Sequence, residues 1–243
     1  MNESTVGRPL RIRHLTYRYP GVRRDTLADV SFDLPAGTVT GLFGRNGVGK
    51  TTLMYLAAGL ARPSGGTIRV GETDPFADPS VAVLMSAGRC LAGTTLGRLA
   101  EVWAAQRAGF QTDLAMELLD RFEVDPRRRP GQLSQGQRAC ANLAFALASR
   151  APLTLLDEIH LGLDPVIRRR IYDTILDEFL ASGATFLIAS HAIEDVEPLI
   201  SAAIIMRSGR VVRAGDADDL RASVPGARSL TDVMIALETE EPQ

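Results

Sequence analysis

Lysine is all but missing from this chain. Of its 27 basic residues, 26 are arginine, and the single lysine is Lys50 in GRNGVGKTT, residues 44–52. Cysteine is nearly as scarce. Cys90 and Cys140 are the whole supply in 243 residues, their separation fits no metal-ligand spacing, and so few thiols point to a reducing compartment rather than a disulfide framework. Charge of one sign is lacking too. A net charge of -2 and a pI near 6.0 give no electrostatic reason to expect nucleic acid as a partner, and the triplets Arg127–Arg129 and Arg168–Arg170 read as solvated surface. No run of about 18 apolar residues exists to cross a bilayer. The longest candidate, ACANLAFALA, is too short and runs into Ser149 and Arg150. The start, MNESTVGRPLRIRH, has no apolar core and is not expected to be a signal peptide. A role at a membrane would require a partner that spans it.

What remains is ordinary soluble composition, 45% hydrophobic and 23% charged, at a length suited to one large domain or two small ones. RIRHLTYRY and LADVSFDL read as antiparallel strands broken by Pro20, Gly21, Pro35 and Gly37. TVTGLF is an apolar strand that runs into the glycine-rich loop, and TLMYLAAGL follows as a helix ending at Gly59. TIRV and VAVLM return to β. From about Thr94 to Ser149 the spacing of apolar residues is helical, in LGRLAEVWAAQRAGF and LAMELLDRF. LTLLD and TFLIAS are apolar without alternation, as parallel strands buried on both faces should be, with a helix from Pro165 to about Leu180 between them. AAIIMRSGRVVRAG closes as a hairpin through Ser208 and Gly209. The pattern is an α/β core carrying an inserted helical block.

Gly44 to Thr51 fits G-x-x-x-x-G-K-[ST] between a strand and a helix, where the motif must sit. Glycines let the amides of Gly44, Arg45, Asn46, Gly47, Val48 and Gly49 face inward as an anion nest, and the following helix presents its positive end to phosphate. Lys50 reaches the β- and γ-phosphates as a compact point charge, where the planar fork of arginine is too wide. Thr51 offers a hydroxyl to Mg²⁺, and Thr52 reaches the α-phosphate.

LTLLDE, residues 153–158, is an apolar strand ending in two acids. Neighbouring side chains at a strand end point to opposite sides, so Asp157 is expected to hold Mg²⁺ and Glu158 to face the attacking water. Asp164-Pro165 reads as a helix N-cap with proline at the first helical position. LSQGQR, residues 133–138, places Ser134 as cap of a helix whose N-terminus offers free N–H groups. A second anion site in a chain that already has a phosphate loop suggests a nucleotide bound by another subunit.

With these motifs together, the chain resembles the ABC ATPases over nearly its whole length. LSQGQ is similar to that family's LSGGQ signature with Gln135 in place of a glycine, and the phosphate loop and LTLLDE resemble its Walker A and B motifs. The resemblance implies a P-loop NTPase core, with an N-terminal antiparallel β subdomain and an inserted helical subdomain over about 90–149, in a single domain over 8–237 with a tail at 238–243. It implies ATP and Mg²⁺ as cofactors, Glu158 as general base and His191 as the histidine that contacts the γ-phosphate. Tyr19 in TYRYP would stack on adenine, with Tyr17 as rival, and Asp164 lies in the D-loop. Two subunits would close head to tail, each ATP held by one phosphate loop and the other chain's Ser134, Gly136 and Gln137. A homodimer is self-sufficient, and a heterodimer is the alternative.

By the same resemblance the partner is a membrane-spanning permease and the site of action the cytoplasmic face of the plasma membrane. SLTDVMIAL resembles the tail of bacterial drug and lantibiotic efflux ATPases, which implies export. A soluble ATP-gated clamp without a permease, or a weakly hydrolysing partner subunit, is the other reading. His14 and His160 read as structural. The departures are Ser86, where the family has a glutamine, and Ile159 and His160 after the catalytic acid. If shape as well as charge is selected at residue 50, Lys50→Arg loses most ATP affinity by calorimetry. Equal affinity in both proteins would sink the argument from shape.

Overall fold

The computed structural model describes residues 6–86 and 93–239. In chain order its elements begin with β1 (Leu10–Tyr17), β2 (Leu27–Leu34), β3 (Val39–Phe43), α1 (Lys50–Ala57), β4 (Gly65–Val70) and β5 (Ala82–Ser86). Three helices follow, α2 (Leu96–Gln106), α3 (Thr112–Arg121) and α4 (Gln135–Ala148). The chain then returns to α/β order with β6 (Leu153–Asp157), α5 (Pro165–Ser182), β7 (Thr185–Ala189), the short α6 (Ile193–Val196) and β8 (Ala202–Arg207). β9 (Arg210–Asp216), α7 (Ala217–Ala222) and α8 (Leu230–Thr239) complete it. Cys90 lies outside the described residues.

Two hydrophobic periods produce two sheets. In β2 the apolar residues Val30, Phe32 and Leu34 are buried in alternation with exposed neighbours, the signature of a sheet with one wet face. β2, β1 and β4 form an antiparallel sheet, with Leu10 opposite both Leu34 and Val70. β3, β6 and β7 are buried at every position, as strands covered on both faces must be. They form the centre of a sheet of order β5-β6-β7-β3-β8-β9, parallel throughout except for β9, which pairs antiparallel with β8 through the hairpin at Ser208 and Gly209.

The helical block does not carry a core of its own. α4 is buried from Cys140 to Ala148, and its Phe145 joins one continuous hydrophobic cluster with Val39 and Phe43 of β3, Leu156 of β6 and Leu119 of α3. Trp103 and Phe110 pack on Phe145 with ring centroids 5.5 and 5.7 Å away. These contacts are of the edge and tilted kinds that aromatic rings prefer. A shared core should melt as one unit. Trp103 is the chain's one tryptophan, so its fluorescence reports the block directly. Phe145→Ala should lower stability by about 3–5 kcal/mol, and in both proteins urea curves from Trp103 fluorescence and far-UV circular dichroism should coincide. Two separate transitions would mean that the block folds independently.

Candidate functional site

Parallel register decides where the chemistry meets. Ser86 lies opposite Asp157, Asp157 opposite Ala189, and Leu42 opposite Ala189. The carboxyl ends of β5, β6, β7 and β3 are therefore level, and the segments that leave them emerge along one edge, where open α/β sheets bind ligands. The phosphate loop leaves β3, Asp157 and Glu158 end β6, and His191 follows β7. The Glu158 amide donates to Ala189 O at 3.0 Å and the Ser190 amide to Leu42 O at 3.4 Å, so the turns themselves are laced together.

In the loop, Gly49 is the N-cap of α1 at φ 106, and no side chain caps the helix. A Cβ at Gly49 would stand 2.7 Å from Leu27 Cδ2, so the position is closed to other residues on both conformational and steric grounds. The helix amides are left for an external anion. Lys50 is 6% exposed, and its Nζ donates to the carbonyls of Gly44 at 2.7 Å and Arg45 at 3.3 Å. Burial lowers the Lys50 pKa, while the charges of Glu158 and Asp157 oppose the shift. Asn46, Gly47, Gly49, Lys50, Thr51 and Thr52 line a cavity of about 260 Å³ together with Glu158 and His191. Thr26 and Leu161 line it too; Leu161 opens the D-loop that the resemblance implies, whereas Thr26 carries no motif that would mark it in sequence. The Val48 amide is bonded to Arg45 O, and the Arg45 side chain is exposed, 3.9 Å from Glu238.

Tyr19 and Tyr17 divide as the sequence left open. Tyr17 packs against the hydrophobic core beside the first sheet. Tyr19 is exposed, and its hydroxyl lies 3.0 Å from Thr52 Oγ1. The ring of Tyr19 meets Tyr17 edge-on at 5.0 Å, which holds a flat aromatic surface beside the phosphate loop.

Asp157 is 3% exposed. Its Oδ2 accepts from Thr51 Oγ1 at 2.9 Å, Ser86 also bonds to the carboxylate, and its Oδ1 is buried without a partner. Burial holds the Asp157 pKa above the ordinary carboxylate range, with the Thr51 hydrogen bond opposing. A hydroxyl and a carboxylate with an unmet oxygen are hard ligands of the kind Mg²⁺ takes, so the residues fit that ion. Ser86 is thus in contact with a magnesium-ligand candidate, at the position where the family's glutamine is replaced.

Glu158 departs from the strand-alternation expectation. It has left β6 and sits at φ 52, a left-handed conformation that costs of order 1–3 kcal/mol in a non-glycine residue. The division between the two acids therefore comes from this turn, with Asp157 inside the strand end and Glu158 swung toward the cavity. Glu158 Oε2 lies 2.6 Å from His191 Nδ1 and 3.6 Å from His160 Nε2. His160, read from sequence as structural, is buried within this group. What the sequence did offer was its position two residues past Glu158 in the same turn.

Ser134, Gly136, Gln137 and Asp164 do not line the phosphate-loop cavity of their own chain. Ser134 Oγ accepts from the Gln137 amide at 3.2 Å and Gln137 Oε1 accepts from the Ser134 amide at 3.1 Å, a reciprocal capping box. A Cβ at Gly136 would stand 2.6 Å from Ile167 Cδ1, which gives that glycine a packing role beside α5. Asp164 Oδ1 caps α5, accepting from Val166 and Ile167 amides at 3.0 Å each. Gln135, the departure in the signature, donates through Nε2 to Leu161 O at 2.9 Å. A Cβ at Gly162 (φ 70) would stand 2.5 Å from that amide nitrogen, so Gly162 makes room for the tie.

Comparison with known proteins gives the family. The family model described as ABC transporter matches residues 27–160. The methionine import ATP-binding protein MetN of Bradyrhizobium diazoefficiens is 30% identical over 83% of this chain and 62% of its own length. The sulfate/thiosulfate import ATP-binding protein CysA of Mesorhizobium japonicum is 32% identical over 87% and 65%. The chain thus spans a little under two thirds of these relatives. Among solved structures, the ATP-binding subunit of an ABC transporter superposes with a TM-score of 0.84 at 23% identity, over 95% of this chain and 99% of the other. At that identity the likeness speaks for the fold. The chain belongs to the ABC transporter family and carries its α/β ATP-binding domain.

Proposed function

We propose that the chain binds ATP with Mg²⁺ and hydrolyses it as the ATP-binding subunit of an ABC transporter, at the cytoplasmic face of a membrane, through residues 8–237 acting as one domain. The observation that carries this reading is the meeting of Lys50, Asp157, Glu158 and His191 at one edge of the sheet, in and beside one cavity. Lys50 and the amides of Arg45 to Gly49 would hold the phosphates, with Gly44 shaping the loop and Thr52 and Tyr19 placing the α-phosphate and adenine. Thr51 and Asp157 would hold Mg²⁺, which when bound supplies neutralising charge to the phosphate oxygens. Glu158 accepts the proton of the attacking water. His191 Nδ1 holds the Glu158 carboxylate, leaving Nε2 for the γ-phosphate.

The second half of the site would come from another copy or a related chain. Ser134, Gly136 and Gln137 do not line the cavity of their own chain, and the capping box holds the start of α4 in place for another chain's nucleotide, with Asp164 fixing the neighbouring turn. A membrane-spanning permease would convert the closing and opening of that pair into transport. The sequence gives no reason to add nucleic acid to these partners. Export, expected from SLTDVMIAL, finds no support in the import proteins named above.

Glu158→Gln keeps size and most hydrogen bonding but removes the base. The kcat should fall by roughly 100- to 10,000-fold while ATP affinity is unchanged. A variant that hydrolyses ATP normally would refute the assignment.

Asp157 gives a second test through stability. Its folded pKa is raised, so the stability it contributes is fully present below the unfolded pKa of about 3.9 and is lost as pH rises through the folded value. At pH 7 the buried charge therefore weighs against the fold. Without Mg²⁺ or nucleotide, Asp157→Asn should melt at a higher temperature than wild type at pH 7, the gain shrinking as pH falls towards 4, while Mg²⁺-dependent ATP binding is lost. A lower melting temperature at pH 7 would contradict the electrostatic account.

A further inference from the structure

The buried imidazole of His160 is unexplained by the site as described. Its ring is 3% exposed and leans on Tyr172, with centroids 6.1 Å apart. Nδ1 is buried with no hydrogen-bond partner. Nε2 makes one long hydrogen bond with Ser190 Oγ at 3.3 Å and lies 3.6 Å from Glu158 Oε2. Buried polar groups are normally satisfied, so the unmet Nδ1 leaves this ring only partly held by hydrogen bonds, with its Nε2 beside a carboxylate. Across that carboxylate stands the second imidazole, His191, with Nδ1 2.6 Å from the same Oε2. One ligand atom each from Glu158, His160 and His191 falls within 4.8 Å of the other two.

We propose that Glu158, His160 and His191 form a binding site for a divalent transition-metal ion of the zinc class, whose occupation arrests hydrolysis while leaving nucleotide binding intact. Two imidazoles and one carboxylate are a zinc donor set that leaves a fourth position for water. The set selects against Mg²⁺, which takes oxygen ligands and octahedral geometry, so the ion that suits Thr51 and Asp157 does not suit this one. Zinc bonds of about 2.0–2.1 Å in a tetrahedron place ligand atoms roughly 3.3 Å apart. The pair at 3.6 Å already fits. The contact at 2.6 Å must open, and the half-exposed His191 is the member free to move.

A metal on Glu158 occupies the lone pair that must take a proton from water, and it breaks the contact by which His191 Nδ1 holds that carboxylate. Lys50, the loop amides, Thr51 and Asp157 are untouched. The arrest of hydrolysis rests on the function proposed above, whereas metal binding itself does not.

The test separates the two. Nucleotide-free protein is titrated with Co²⁺, read by its visible absorption, and with Zn²⁺, read by calorimetry. Hydrolysis is then measured with Mg²⁺ in excess and Zn²⁺ varied. The inhibition of His160→Ser by Zn²⁺ is scored against that variant's own activity without Zn²⁺. His160→Asn serves as a second variant, and circular dichroism checks the fold of each. Wild type should bind one Zn²⁺ and give the intense spectrum of four-coordinate Co²⁺. Both variants should bind at least tenfold more weakly, since even an outer-shell change costs roughly 10- to 100-fold, and their inhibition should shift by the same factor.

Equal Zn²⁺ affinity in wild type and variants would overturn the site, as would the absence of saturable binding. Inhibition that ignores His160 and yields to added Mg²⁺ would place the zinc at Thr51 and Asp157 instead, and overturn the proposal too. Wild type that binds Zn²⁺ through His160 yet hydrolyses no ATP in its absence would uphold the site and fail the ATPase reading alone.

Discussion

Everything at this edge of the sheet depends on keeping one positive charge buried beside two negative ones. Lys50 is nearly solvent-free, and an isolated ammonium in such a place would surrender its proton. Asp157 and Glu158 both favour its charged form. Burial, with the Glu158 charge adding to it and Lys50 opposing, holds the Asp157 pKa above its usual range, and one of its oxygens is satisfied by no protein group. The cluster is thus poised for external charge: an anion for Lys50 and the uncapped helix α1, a cation for Asp157. Four parallel strands with level ends are what keep the three groups within reach of one another.

The same economy explains why the signature segment stands apart. Ser134 and Gln137 satisfy each other's amides, so α4 begins without needing a ligand, and Asp164 does likewise for α5. Gln135 then ties the start of α4 to the turn at Leu161, and Leu161 lines the phosphate-loop cavity. Within one chain the cavity at the phosphate loop and the start of α4 are therefore connected through a single turn.

Much of this was legible in the sequence where local chemistry decides. The strand before Gly44, the helix after Lys50, the hairpin at Ser208 and Gly209 and the start of α5 at Pro165 all follow from turn residues and apolar period. Other features depend on contacts between distant segments. Alternation placed Asp157 and Glu158 on opposite sides of a strand, whereas a left-handed residue 158 separates them. Gly136 read as part of a phosphate site, yet its need for small size comes from Ile167, 31 positions away by number. His160 read as structural because nothing local shows that Ser190 and His191 return beside it. The helical insertion was visible as a change of period, but not that Phe145 would merge it with the core under β3 and β6.

The central claim is that Lys50, Asp157 and Glu158 of one chain form a working site only when α4 of another completes it. The direct measurement is steady-state release of phosphate from saturating ATP and Mg²⁺ across a wide range of protein concentration. The account predicts a specific activity that rises with concentration and then levels off as pairs become the main species. A specific activity that is constant over the whole range, or no ATP-dependent phosphate release at any concentration, would contradict it.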